Sequence, residues 1–231
     1  MVKLNRRKIR PKDIKEKEFF LFRDVLKKLY FKDEFKERGE IMAALASVQY
    51  YQAYRISEAA ALHWEDVYLD YQNPENSRLK VVRAVFWPRR KDLQSYVKEG
   101  FKNDESNDGV KEHPMFPETF EILSSLHRPG ATGLIFHIHG THLEYRAIQS
   151  AYDRAFKCVA LPYRGTHIMR HGGCRRVYNQ EGGDLAVAQQ LLGNSDLKST
   201  LVYAKRDANA LTQVAHKHWD RKNLRLVTSG D

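Results

Sequence analysis

Apolar residues recur at three- and four-residue intervals along most of this chain, and one β-branched stretch, RLKVVRAVFW at Arg78–Trp87, interrupts them. That interruption is the strongest constraint on the fold, because it leaves room for only a small sheet inserted early in a mostly helical layout. Before it, Phe19, Phe22, Val25, Leu26 and Leu29 mark an amphipathic helix over Glu18–Tyr30, and an Ala- and Leu-rich helix follows over Arg38 to about Tyr54. RISEAAALHWEDV reads as a third helix with Ile56, Ala59, Ala60 and Leu62 inward. It should stop near YLDYQNPENS, where Asn73-Pro74 marks a turn.

After the strand, Pro88 to Gly109 is polar and rich in breakers, which predicts loop and hairpin ends and a short strand near Val110–Met115. A helix should cover Pro117–Leu126, LIFHIHG a short strand or turn, and helical spacing resumes over Leu143–Leu161. The last core helices are expected at Thr166–Glu181, Asp184–Leu192 and Lys198 to about Tyr203. No repeat and no low-complexity segment is present.

At 231 residues the chain fits one large domain or one medium domain with extended ends, and an apolar fraction of 42% is enough for a core. Lys and Arg outnumber Asp and Glu by 39 to 29, a net charge of +10, which suits a nucleic-acid partner without saying what sequence is read. Lys3, Arg6, Arg7, Lys8, Arg10 and Lys12 all precede the first acid, Asp13, so residues 1–17 read either as a solvated basic segment or as a strap along phosphates. Cys158 and Cys174 are too few for a disulfide framework and read as buried small side chains. No apolar run approaches bilayer length and the N-terminus lacks the apolar core of a secretory signal, so a cytoplasmic protein is expected.

Four short patterns remain. Arg55 and Glu58 lie three apart at a helix start and can face one side; His167 and Arg170 share that spacing; Asn194 follows L-L-G; and Tyr203 stands nine residues beyond it. RISEAAALHWEDV, THIMRHGG and LLGNSDLKSTLVYA, in that order, resemble the tyrosine recombinase (phage integrase) catalytic domain over roughly residues 18–205. The resemblance implies a mainly α fold with a small antiparallel sheet, of the α+β class. It implies site-specific cutting and rejoining of DNA through a 3′-phosphotyrosyl bond, with no metal, no cofactor and no ATP.

In the roles so implied, Arg55 and Arg170 clamp the phosphate, Tyr203 is the nucleophile and His167 assists proton transfer. Two guanidiniums suit the charge that builds on non-bridging oxygens, and a phenol with a pKa of about 10 needs help to attack near neutrality. The family's leaving-group acid is a hairpin Lys. Lys102, in FKNDESNDGVKEHPMFP, fits best, with Lys91 and Lys98 as alternatives. Asn194 departs from the family's usual His or Trp; it can donate a hydrogen bond but not shuttle a proton. Glu58 is expected to orient neighbouring side chains and His171 to be structural.

The implied partners are double-stranded DNA, further copies of the chain in a tetramer on that DNA, and accessory DNA-bending proteins, with the nucleoid as location. Residues 206–231 form a tail whose Leu211, Val214 and Trp219 could dock on a neighbouring subunit or on their own domain. Only about seventeen residues precede the first family-like helix, so either the chain is a catalytic fragment or the natural protein is compact and grips DNA differently. Weak duplex binding with steep salt dependence is expected. His137, His139 and His142 in FHIHGTH read as loop histidines or DNA contacts ahead of a metal site. The rivals are a type IB topoisomerase-like enzyme, a DNA-binding protein that kept the fold and lost turnover, and an unrelated basic helical protein.

Overall fold

A computed structural model describes residues 14–29, 33–89, 92–99, 111–163, 165–180, 185–192 and 215–219. Helix α1 (Glu16–Lys28) buries Phe19, Phe22 and Leu26, the inward stripe its sequence carries. Glu16 and Glu18 in its first turn and Lys27 and Lys28 in its last complement the helix dipole. Helix α2 (Asp33–Tyr51) is different in kind. From Met42 onward it is buried on nearly every side, including Ser47 and Gln49, so it is the central element against which the others pack.

Around α2 lie α1, α3 (Ile56–Ala60), α4 (Pro117–Leu126) and α6 (His167–Gln180), while α5 (Tyr145–Cys158) packs on α1 and α7 (Leu185–Leu192) on α6. The ring of Phe19 stacks on Tyr50 at 4.0 Å, and Phe22 meets Tyr152 and Phe156 of α5. A second cluster of Ala53, Phe116, Val177, Val187 and Leu191 joins α7 to the end of α2.

The β-branched stretch is not one strand. It divides at Val82 into β2 (Arg78–Val81) and β3 (Arg83–Phe86), which belong to different sheets. Strand β2 is the centre of an antiparallel sheet with β1 (Val67–Tyr68) and β5 (Lys111–Pro114), in the order β1-β2-β5, with Leu79 opposite Val67 and His113. Among the described residues strand β3 pairs with β4 (Tyr96–Glu99) alone, forming a separate hairpin in which Val85 faces Val97. At the start of β3, Arg83 bonds Asp66 and lies 3.4 Å from its cross-strand partner Glu99.

The third helix also ends sooner than its sequence suggests, at Ala60. Beyond it, Trp64 N–H donates to the Gly133 carbonyl at 2.9 Å and Leu62 C=O accepts Ile135 N–H at 2.9 Å. These loop partners satisfy backbone groups that a continuing helix would have paired internally. The segment becomes a 3₁₀ turn at Trp64–Asp66 and then β1. LIFHIHG forms a two-residue ribbon, β6 (His137–Ile138) with β7 (Thr141–His142). Cys158 is exposed and Cys174 half-buried, so only the second approaches the buried state expected of both.

Helical residues 215–219 pack at the entry of α4: Trp219 Nε1 donates to the Met115 carbonyl at 3.3 Å, its ring meets Phe120 at 5.3 Å, and His218 meets the Phe116 ring of the second cluster at 5.3 Å. Leu211, Val214 and the helix expected at Lys198–Tyr203 lie outside the described residues. No described helix is long and apolar enough to cross a membrane.

The Gly172-Gly173 pair sets how closely α6 approaches α2. A Cβ on Gly173 would overlap the Tyr50 carbonyl oxygen, and one on Gly172 would stand 2.6 Å from the Ile14 carbonyl oxygen. The obstacle in both cases is backbone, which cannot swing aside as a side-chain tip can. Gly173→Ala should therefore destabilise the fold by about 3 kcal/mol, as overpacked cores do. Thermal unfolding followed by circular dichroism should show a midpoint lowered by about 6–12 °C. An unchanged midpoint would mean that the close crossing does not exist.

Candidate active site

Helix α2 delivers the first site residue through a strained turn. After Tyr51, Ala53 takes a left-handed φ of 52°, a conformation that costs an L-residue about 1–2 kcal/mol, and the chain reverses into α3 with Arg55 at its N-cap. Glu58, one turn on, folds back on Arg55. One carboxylate oxygen accepts the Arg55 backbone N–H at 2.8 Å and the other accepts its Nη1 at 2.8 Å.

Helix α6 supplies the second pair. Its first residue is His167, and Arg170 lies one turn further along the same face. Arg170 is 5% exposed and turned toward the end of α2, where Nη1 donates to the Ala53 carbonyl at 2.6 Å and lies 3.7 Å from the Glu58 carboxylate. Its Nη2 donates to the carbonyl of Leu192, the last residue of α7, at 2.6 Å. The structure thus brings Arg55, Glu58, His167 and Arg170 together from two elements, α3 with its N-cap and α6, although Glu58 and Arg170 are 112 positions apart.

The electrostatics follow from this arrangement. The side chain of Glu58 is 3% exposed and would be costly to ionise alone, but two guanidiniums and a backbone N–H surround it. Burial pulls the Arg170 guanidinium below its ordinary pKa while Glu58 pulls the other way; an arginine remains cationic at neutral pH regardless. Partial desolvation holds His167 below its usual value, and the charges of Arg170, His171 and Arg55 add to that effect. The cluster therefore carries one net positive charge, two cations against one anion, beside an imidazole that is neutral at pH 7. Such a site attracts an anion, hydrogen-bonds it, and can accept a proton.

Lys102, Asn194 and Tyr203 lie outside the described residues, as does Lys91. Lys98 is exposed on β4, opposite Ala84. His137 and His142 face each other across the β6–β7 ribbon, and His142 Nε2 is 2.8 Å from Ser95 Oγ. Among the described residues no group of His, Cys, Asp or Glu side chains could hold a metal ion.

Sequence reasoning missed the supports beneath the cluster. Gln49, in the last turn of α2, and Gln52, just past its end, are fully buried. Gln49 Nε2 donates to the carbonyl of Thr166, the residue before His167, at 3.0 Å, and Tyr152 OH donates to Gln49 Oε1 at 3.4 Å. Arg176, 6% exposed, lies 5.0 Å from the ring centres of both Tyr51 and Phe116. Two amides inside the apolar run ALASVQYYQAYR were the available signal, since buried polar side chains require partners.

The depressed His167 value has a testable sign. Its imidazolium is disfavoured in the fold, so folding stability should be fully present above about pH 6.5, the ordinary His value, and should fall as pH drops through the lower folded value. An NMR titration, assigned with His167→Gln, should give a midpoint below about 6.5, and Arg55→Gln should raise that midpoint by removing a nearby cation. A midpoint unmoved by Arg55→Gln would separate His167 from the arginine pair.

A sequence profile of the phage integrase family matches residues 20–210. The chain is 26% identical over 180 residues to the tyrosine recombinase XerC of Pediococcus pentosaceus, covering 77% of this chain and 54% of that one. It therefore spans about half the length of that relative. Among solved structures it is similar to the Tn1549 transposon integrase in complex with a circular intermediate DNA, with a TM-score of 0.60, 20% identity, and 93% and 67% of the two chains covered. It is also similar to the XerH recombinase bound to its difH substrate before cleavage, with a TM-score of 0.50, 16% identity, and 80% and 47% covered.

Proposed function

The chain belongs to the phage integrase family, and on that premise we propose that it cuts and rejoins duplex DNA site-specifically, with the Arg55–Glu58–Arg170 cluster receiving the scissile phosphate. The observation that carries this reading is the shared Glu58 carboxylate, which holds both guanidiniums beside a neutral imidazole.

The phenol of Tyr203 attacks phosphorus and its proton passes to His167. As the P–O5′ bond breaks, the leaving oxygen takes a proton from Lys102. Charge accumulates on the two non-bridging oxygens in between, where donors from Arg55 and Arg170 stabilise it most, because the transition state is more anionic than the ground state. Asn194 adds a neutral hydrogen bond. The phosphotyrosyl bond stores the energy of the broken phosphodiester, and attack by a 5′-hydroxyl reverses the steps. The excess of basic residues supplies non-specific attraction to duplex DNA.

Residues 18–205 would form the catalytic unit and residues 1–17 a basic strap. The working assembly would be a tetramer on paired sites, with accessory proteins bending the DNA, at the nucleoid, while Trp219 in the tail packs on its own domain. Two similar structures are DNA complexes, which supports the choice of partner.

Nicked suicide duplexes that trap the covalent intermediate provide the test. The protein should give a denaturation-resistant adduct, Tyr203→Phe should give none, and Arg170→Ala should form it at least about 100-fold more slowly. An adduct that persists in Tyr203→Phe would assign the nucleophile elsewhere.

A further inference from the structure

We infer that Gln49 is a positioning residue for His167: its buried amide, anchored to α5, holds the carbonyl that immediately precedes the imidazole-bearing residue. This rests on the strand-transfer reading above, in which His167 takes the proton of the attacking phenol. Among the described residues no hydrogen bond holds the His167 ring, which is exposed and meets His171 at 6.4 Å between ring centres. Where the imidazole stands is therefore set by its backbone, at the first residue of α6.

The helix itself fixes that backbone weakly. Gly165, two residues earlier, takes a left-handed φ of 88°. The first bonds of the turn are long: Ile168 N–H reaches the Gly165 carbonyl and Met169 N–H the Thr166 carbonyl, both at 3.3 Å. The bond from Gln49 Nε2 to the same Thr166 carbonyl is shorter, at 3.0 Å, and spans 117 positions of sequence. A carbonyl can only accept, so the amide must turn its NH₂ toward Thr166. That leaves Oε1 to accept the Tyr152 hydroxyl at 3.4 Å, which ties the amide to α5. Gln49, Tyr152 and Thr166 are all buried, so losing one partner leaves the next unsatisfied.

The rest of α6 has ties of its own. Gly173 rests on the Tyr50 backbone, and Arg170 donates to the Ala53 and Leu192 carbonyls at 2.6 Å each. Loss of the Gln49 amide thus frees the turn that carries the imidazole and leaves the phosphate clamp in place. A displacement of about 1 Å at a reacting group costs on the order of 100-fold in rate. This separates positioning from a general structural role. A residue that acts through His167 has nothing left to act on once the imidazole is gone, whereas a residue that supports the whole fold still matters.

The experiment measures single-turnover adduct formation on nicked suicide duplexes in a double-mutant cycle. Gln49→Met, which keeps the volume and removes both hydrogen bonds, should slow the parent protein about 30–100-fold. In a His167→Ala background the same change should cost less than about 3-fold. A second readout needs no DNA. Partial burial and nearby cations hold the His167 pKa down, so Gln49→Met should raise its NMR titration midpoint toward about 6.5. Should Gln49→Met fail to fold, Tyr152→Phe, which removes the donor to Oε1, should show the same dependence on His167 at smaller size. Equal slowing in the two backgrounds, or an unmoved His167 midpoint, would overturn the inference. An adduct that persists in Tyr203→Phe would instead overturn the strand-transfer reading, and the midpoint would then decide the placement of His167 by itself.

Discussion

One buried carboxylate governs this site. Glu58 takes the Arg55 guanidinium and backbone N–H on one side and lies within 3.7 Å of Arg170 on the other. Without it, two cations would face each other at the end of α2, one of them with a side chain only 6% exposed. Removing one partner of such a cluster typically costs about 3–5 kcal/mol, because the remaining charges are left buried and uncompensated. With it, the cluster keeps a single positive charge and a fixed spacing between its two forks. That is a geometry prepared before any ligand arrives, and preorganised charge is where enzymes obtain most of their electrostatic advantage.

Helix α2 makes the arrangement possible. Its backbone is the surface on which α6 rests through Gly173, with Gly172 against the Tyr50 ring and the Ile14 backbone, which fixes Arg170. Its last turn carries Gln49, bonded to the entry of α6, and just past its end Gln52 is bonded to the exit of β5. Its end turns through Ala53, whose left-handed backbone aims a carbonyl at Arg170 and starts α3 at Arg55. Strain at that single residue is held by hydrogen bonds from an element more than a hundred positions away.

Much of this was legible in the sequence. The first helix follows its apolar spacing, α4 and α6 fall on their expected spans, and the Arg55–Glu58 and His167–Arg170 pairs meet as their helical spacing implied. Legibility failed where the decisive partner is distant in sequence. Nothing local tells Leu62 that its carbonyl will be taken by Ile135, so the third helix looked longer than Ala60. Nothing local tells the chain at Val82 that β2 will pair with β5 and β3 with β4, so the two strands looked continuous. The two glutamines were visible as residues, but their partners at Thr166 and Pro114 were not.

The central claim is that Glu58 holds two guanidiniums ready for one phosphate. A crystal structure of Tyr203→Phe on an uncleaved duplex measures this directly. The account requires donors of both Arg55 and Arg170 within about 3 Å of non-bridging oxygens of the same phosphate, with the Glu58 carboxylate still between the two side chains. A phosphate bound by one arginine alone, or a Glu58 swung out to solvent as DNA enters, would contradict it.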